Sequence, residues 1–488
     1  MKKVIKCFLY GSILSLLAVS IAAQTAKSPQ KAQNEAFDIK AKVDRRVELF
    51  TVVARLAGFE EYSTNTVKKY SDDIDRHFEK YKQHPAILFL KELRKDHGVA
   101  YDAVMTMAVH LSPPPELKPQ IPFQMAFKDG ALDGRWGDIE KAEKFVKLLR
   151  QFYKDTDFES FFKSHADFYS TVEQRFQKVV DKVDFDWYRK FYGELPDGNF
   201  YFYILLDSRG NYGPEVVFSE KKKDIYALLT TGQVDDEGLP VYGERQLATI
   251  IHEFSHPFIN PLFFANKNKF EAAGEKIFAS VRERLRLVGY GNWESAVIES
   301  LVNAAVIRYL LEHEPDPEVI YRQTILQRNR GFVWMDELVP LLGAYENDRN
   351  SYPTFRSLLP LIMGYFNDLS KRIEHEAKEF EQMTPHVIGI SPFVNGAQDV
   401  DPNITQLTLT FDKPLDKEVE YSVNKGGSGE AHYPVVKVLG ANESGTTLTV
   451  EVKLKPEWEY EFVLPGSRFR TKDGYQMQNY TVKFKTGK

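Results

Sequence analysis

The chain carries a single cysteine, Cys7, in 488 residues. No disulfide can form within it, so the fold has to rest on its apolar core. It also lacks an excess of basic charge: 64 Lys and Arg stand against 69 Asp and Glu, for a formal net charge of −5. That balance argues against a surface built for nucleic acid. After the first 23 residues no second apolar run of about 20 residues appears, so no membrane anchor is expected beyond the leader. What is present is a composition 43% hydrophobic and 13% aromatic, ample for the cores of two or three domains.

The start reads as a signal peptide over residues 1–23. A short basic Met1-Lys2-Lys3 precedes an apolar stretch that ends in the small-residue exit Ser20-Ile21-Ala22-Ala23. Cys7 lies early in that stretch, too far from the exit for lipid acylation, and the processed chain would hold no thiol. Loss of Lys2, Lys3 and Lys6 removes three positive charges and takes the net charge from −5 to −8. The polar residues 24–36 read as a tether. The expectation is an exported protein, periplasmic or secreted, of the kind bacteria make without disulfides.

Residues 44–111 and 140–191 show helical spacing, separated by Pro113-Pro114-Pro115. Five histidines in these blocks, His77, His84, His97, His110 and His165, have no ligand partner at useful spacing and read as structural or surface residues. From Pro196 the pattern changes. Residues 200–206, 214–219 and 225–231 are compact apolar runs bounded by Gly, Asp-Ser or Lys-Lys-Lys, and together predict a small sheet. Helical spacing returns and ends over 366–380, closed by Thr384-Pro385.

The sheet is followed by His252-Glu253-Phe254-Ser255-His256-Pro257. Leu247, Ile250, Ile251, Phe254 and Phe258 place one stripe of a helix against a core, and His252 and His256 stack one turn apart on a neighbouring face. Two imidazoles at this spacing can ligate zinc at about 2.0–2.1 Å, and Glu253 can reach a metal-bound water as general base. A chance HExxH is expected about 0.02 times in a chain of ordinary composition and this length. Pro257 removes a donor to the Glu253 carbonyl, so a kink or stop is expected at His256, reinforced by Asn260-Pro261.

A third ligand is needed. Glu275 sits on the polar side of a helix whose core stripe is Phe270, Ile277, Val281 and Leu285, and reads as a solvated charge. Glu294 follows Asn292 at a helix start, where the N-terminus favours a carboxylate without any metal. Glu299 lies in residues 296–307, apolar nearly all round, where burial of a carboxylate costs several kcal/mol unless a cation or strong donors meet it. The metal set is therefore His252, His256 and Glu299, with Asn303, one turn on, expected to orient Glu299 or a histidine. Pairing of Glu299 with an arginine, Arg308 or one distant in sequence, is the competing explanation.

His252-Glu253-x-x-His256 with a Glu on a later helix resembles the gluzincin branch of the zincin metallopeptidases. Their distal Glu-x-x-x-Asp reads here Glu299-Ser300-Leu301-Val302-Asn303, with Asn for Asp. A closer similarity, over roughly residues 40–380, is to domain-of-unknown-function family 4932, exported bacterial proteins inferred to be peptidases. In that family His-Glu-Phe-Ser-His-Pro and Glu-Ser-Leu-Val recur in this order. The resemblance implies Zn2+, Glu253 as the catalytic residue, a peptide or protein substrate, and a Tyr or His for the oxyanion; Tyr290, Tyr242 and Tyr309 are candidates, but among 25 tyrosines each reads first as an ordinary structural residue and none is selected.

From residue 387 short alternating strands over about a hundred residues predict a β-sandwich. Ser391-Pro392-x-x-Asn395-Gly396 is similar to bacterial Ig-like domains of the surface-layer type, which implies binding to a surface polymer or protein. The expected class is α+β: a mostly helical zincin-like domain with a small sheet over 37–384, then an all-β Ig-like sandwich over 385–488. A metallohydrolase acting on a non-peptide substrate, or an inactive zincin-fold scaffold, are the alternatives.

Overall fold

The structure, a computed structural model, describes residues 39–128, 130, 132–194, 198–219 and 222–488. The expected leader, the tether, Cys7 and Pro196 lie outside them. Residues 39–488 form one compact unit.

The small sheet is built from β1 (Ala41–Lys42), β2 (Asn199–Leu205), β3 (Glu215–Ser219) and β4 (Lys222–Thr230), in the order β1-β2-β4-β3. β1 runs parallel to β2 and β2 parallel to β4, whereas β3 is antiparallel to β4 and forms an edge. Three strands match the apolar runs of the sequence. β1 was not expected: two residues are too short for a period-2 pattern. The alternation of β2 separates its two faces. Phe200 and Phe202 meet the ring of Phe254 at 4.8 and 4.7 Å, and Tyr203 on the other face accepts a 2.8 Å bond from Arg46.

Nine helices precede this sheet's second strand among the described residues. They are α1 (Arg45–Leu56), α2 (Lys68–Phe78), α3 (Pro85–His97), α4 (Asp102–His110), α5 (Phe123–Lys128), α6 (Ile139–Asp155), α7 (Phe158–Ser164), α8 (Ala166–Val180) and α9 (Phe185–Tyr192). The scattered histidines serve structure here. His84 caps α3 by accepting from the Ala86 amide, and His77 and His110 bond to the backbone carbonyls of Thr156 and Thr106.

After the sheet come α10 (Glu244–Phe264), α11 (Lys267–Leu287), α12 (Trp293–His313), α13 (Pro317–Arg330), α14 (Met335–Asn347) and α15 (Phe355–Met383). α10 lies along α12, which packs in turn on α11 and α14. The helix does not stop at His256: α10 runs on through both Pro257 and Pro261. An interior proline costs a helix about 3 kcal/mol or more. Here Ile250, Ile251, Phe254, Phe258, Ile259, Leu262 and Phe263 are all buried along the same helix, and burial of one such side chain is worth about 1.5–3 kcal/mol. Tertiary packing outweighs the local rule.

The C-terminal residues form a β-sandwich. One sheet has the order β5-β6-β9-β8 and the other β11-β10-β7, from β5 (Val387–Ser391), β6 (Gln406–Phe411), β7 (Asn424–Lys425), β8 (Val435–Ala441), β9 (Thr447–Val452), β10 (Glu459–Leu464) and β11 (Tyr480–Lys485). Leu407, Leu409, Phe411, Leu448, Val450, Phe462 and Val482 fill the space between them. The sandwich docks on α13, where Asn329 donates to the Gly474 carbonyl (2.8 Å) and accepts from the Gln476 amide (3.0 Å).

One buried acid makes the stability pH-dependent. Glu48 on α1 is fully buried, accepts a 2.5 Å bond from the Tyr70 hydroxyl and has no partner for its other oxygen. Burial pushes its pKa from 4.5 up to about 8, against the pull of the Tyr70 bond and with help from Asp207. The native state keeps a proton that the unfolded chain loses. Stability is therefore expected to fall as pH rises through this window, by up to about 1.4 kcal/mol per pH unit. Glu48→Gln removes the titrating group, so denaturation midpoints of the variant should gain on the wild type from pH 5 to 8; a constant difference would show that Glu48 does not titrate there.

Candidate metal centre

The two histidines of α10 project from the same face because they are one turn apart. Their Nε2 atoms lie 3.2 Å from each other. Glu299 reaches them from α12: one carboxylate oxygen is 3.3 Å from His252 Nε2 and the other 3.7 Å from His256 Nε2. Four ligands held tetrahedrally at about 2.0–2.1 Å lie roughly 3.3–3.4 Å apart, so the three groups occupy corners of a figure of the right size. They form a His/His/Glu cluster able to hold a metal ion. The donor set fits zinc, which takes imidazole nitrogen and carboxylate oxygen in such threes and leaves a fourth position open.

The neighbours prepare each ligand. Burial holds the pKa of His252 below that of an ordinary imidazole, against the opposite pull of Glu299, so the ring is neutral near pH 7, the form a metal accepts. His256 has its Nδ1 at 3.2 Å from Asn260 Oδ1. Asn260 accepts the Nδ1 proton and leaves the Nε2 lone pair directed at the cluster. The Tyr290 hydroxyl donates to Glu299 at 3.1 Å. Burial and the Glu299 carboxylate push that phenol well above its ordinary pKa, so it stays protonated and remains a donor.

The other expectations sort themselves by position. Glu299 is 12% exposed in a helix otherwise buried over residues 296–307. Arg308 does not neutralise it, because Arg308 pairs with Glu346 at 2.6 Å. Glu275 is exposed on α11, and Glu294, in the first turn of α12, pairs with Lys267 at 2.8 Å; neither joins the cluster. Asn303 corrects an expectation. Its amide donates to the backbone carbonyl of Glu299 at 2.7 Å and not to the carboxylate or an imidazole, a local bond that bends back along its own helix. Of the tyrosines, Tyr242 bonds to Thr231 and Tyr309 to the Asp184 amide, which leaves Tyr290 at the site.

Glu253 lines a cleft of about 420 Å3 together with His256 and Asn260. The chain entering the edge strand passes beside it. A Cβ on Gly213 would stand 3.2 Å from a Glu253 carboxylate oxygen, closer than nearly all such contacts, so glycine gives the carboxylate its room. Gly213 is not singled out by the sequence, and Asn260 reads there only as part of a helix stop. Asn260 is four residues after His256, and its place became visible only once α10 was found to continue past Pro257. Gly213 carries no sequence signal that separates it from an ordinary turn glycine.

The class defined by fold and site is a mostly helical protein with a small mixed sheet and a C-terminal sandwich, carrying on an HExxH motif and a later helix a His/His/Glu cluster that could hold a metal ion. The chain belongs to the domain of unknown function family DUF4932, whose match spans residues 39–364. No curated protein matches it. Among solved structures, a crystal structure of the S-layer protein SbsC is 18% identical, covering 45% of this chain and 33% of that one at a TM-score of 0.17. The N-terminal part of the same protein is 15% identical over 50% of this chain and 64% of that one, again at 0.17. The chain thus spans about a third of the first of these, and scores this low bear on neither fold nor function. Among the described residues no helix is long and apolar enough to cross a membrane.

Loss of a second-layer partner commonly weakens a metal site about 10–100-fold. Asn260→Ala is expected to lower zinc affinity by that factor, and Glu275→Ala to leave it at the wild-type value. Competition against chelators of graded strength measures both; equal affinity in Asn260→Ala would remove Asn260 from the site.

Proposed function

We propose that the chain is an exported zinc metallopeptidase of the gluzincin type. In this reading residues 37–384 form the catalytic domain, His252, His256 and Glu299 hold the ion, and an Ig-like module over 385–488 docks on a surface polymer or protein. The observation that carries it is the convergence of two imidazole nitrogens and a carboxylate within 3.2–3.7 Å, from two helices, beside the Glu253 carboxylate. Bound there, zinc would supply a Lewis acid for the scissile carbonyl and a water of lowered pKa.

The chain's own residues do the rest. Glu253 takes the proton of the attacking water and hands it to the departing amine nitrogen, a transfer worth about 10²–10⁴-fold in rate. Tyr290 is the one of the three candidate tyrosines that lies at the site, where it holds Glu299 through its hydroxyl; its single O–H is given to Glu299, so donation to an oxyanion requires that bond to be exchanged. The edge position of β3 supports an extended substrate: its free backbone groups can add a strand from a peptide, and the strand's entry at Gly213 brings that peptide alongside Glu253. A chain of net charge −5 makes nucleic acid a poor partner.

Elemental analysis of the purified chain should give close to one zinc per molecule. Glu253→Gln is expected to keep that zinc and to lose peptide hydrolysis by about 10²-fold or more. Hydrolysis at the wild-type rate in Glu253→Gln would end the assignment. Retained zinc with activity on esters alone, or on nothing, would move the reading to a non-peptide hydrolase or to a scaffold.

A further inference from the structure

The two prolines of α10 are not explained by the metal centre. They lie on one stripe of the helix with the chemistry: Glu253, then His256 and Pro257, then Asn260 and Pro261, then Phe264, at steps of three and four residues. All six border the same cleft of about 420 Å3. Its polar members, Glu253, His256 and Asn260, run along one side of the stripe, and its apolar members, Pro257, Pro261 and Phe264, along the other.

Three observations give this apolar side a purpose. Phe264 is 58% exposed while its neighbour Phe263 is buried and makes the core contacts, with Phe270 at 5.4 Å and Trp293 at 5.7 Å. The core therefore does not require the Phe264 ring. Ile225 of β4, opposite the helix, is buried and lines the cleft, so apolar surface faces the space from two elements. Apart from Glu253, the carboxylate in the cleft lining is Glu215, and Lys223 pairs with it at 3.0 Å. The cleft thus offers a bound group apolar contact and little uncompensated charge, the character of a pocket for an apolar group.

We infer that this side of the cleft is a specificity subsite for a bulky apolar side chain, aromatic or branched aliphatic, of a substrate held at the metal centre. Ile225 and Pro257 form its floor, and Pro261 and Phe264 its outer wall. The prolines fit that role: their rings add apolar surface, and their missing amide hydrogens leave the Glu253 and Pro257 carbonyls without the usual helical donor, so the wall is set by packing and not by local hydrogen bonding. The inference rests on the reading of the chain as a hydrolase of peptides and goes further in naming the residue it selects.

Peptides that differ only in the residues flanking the cleaved bond, with Phe, Leu, Ala, Asp or Lys in turn, test it on the zinc-loaded full chain. The wild type should favour Phe or Leu over Ala by about 10-fold or more in kcat/KM. Phe264→Ala should bring that ratio close to one, and Phe264→Lys should raise the Asp peptide relative to the Phe peptide. Phe264 is exposed, so a thermal melt close to wild type is expected for both variants. Fluorescence anisotropy with the same peptides on Glu253→Gln reads binding without turnover. A preference for Lys or Asp in the wild type, or a Phe preference that survives Phe264→Ala, overturns the subsite while leaving the hydrolase reading intact. Apolar-selective binding without any cleavage supports the subsite and retires the hydrolase reading, and neither cleavage nor selective binding retires both.

Discussion

Everything at the candidate metal centre depends on α10 packing along α12. The two imidazoles owe their spacing to a single turn of helix, but the Glu299 carboxylate arrives from a separate helix, and only the contact between the two brings it to 3.3 Å from His252. Glu299 in turn could not sit in so apolar a helix without partners, since an uncompensated buried carboxylate costs several kcal/mol. Its partners are the imidazoles and the Tyr290 hydroxyl. Arg308, further along α12, is turned to Glu346. The carboxylate is thus left for the cluster by the arrangement of its neighbours.

The sheet sets the other side of the site. Alternation along β2 sends Phe200 and Phe202 to the Phe254 ring and so ties the sheet to the buried stripe of α10. β4 then lies inside the sheet and β3 at its edge. Because Gly213 has no side chain, the segment leading into that edge can approach Glu253. The same packing lets α10 carry two interior prolines.

The sandwich is joined to the part of the chain that backs the site. Asn329 makes reciprocal bonds with the 474–476 turn. Three residues later Phe332 meets the Tyr290 ring at 5.8 Å, and Trp334 donates to the Ser300 hydroxyl beside Glu299 at 3.1 Å. One short segment, 329–334, therefore touches the sandwich at its start and the surroundings of Glu299 further on.

Much of this was legible in the residues themselves. Periodicity identified the helical blocks, three of the four strands of the small sheet and the sandwich, because each pattern repeats over enough residues to be read locally. The HExxH spacing placed His252, Glu253 and His256 on adjoining faces of one helix, and the desolvation cost of a charge in an apolar helix singled out Glu299 over Glu275 and Glu294. Tertiary structure alone decided the rest. Whether a helix survives Pro257 is settled by burial of side chains on its far side, not by the proline. With that continuity came Asn260 beside His256. Which strand is the edge, that Asn303 serves the backbone and Tyr290 the carboxylate, and that Gly213 makes room for Glu253 are all relations between segments far apart in sequence. No local pattern encodes them, because they arise only when packing has brought those segments together.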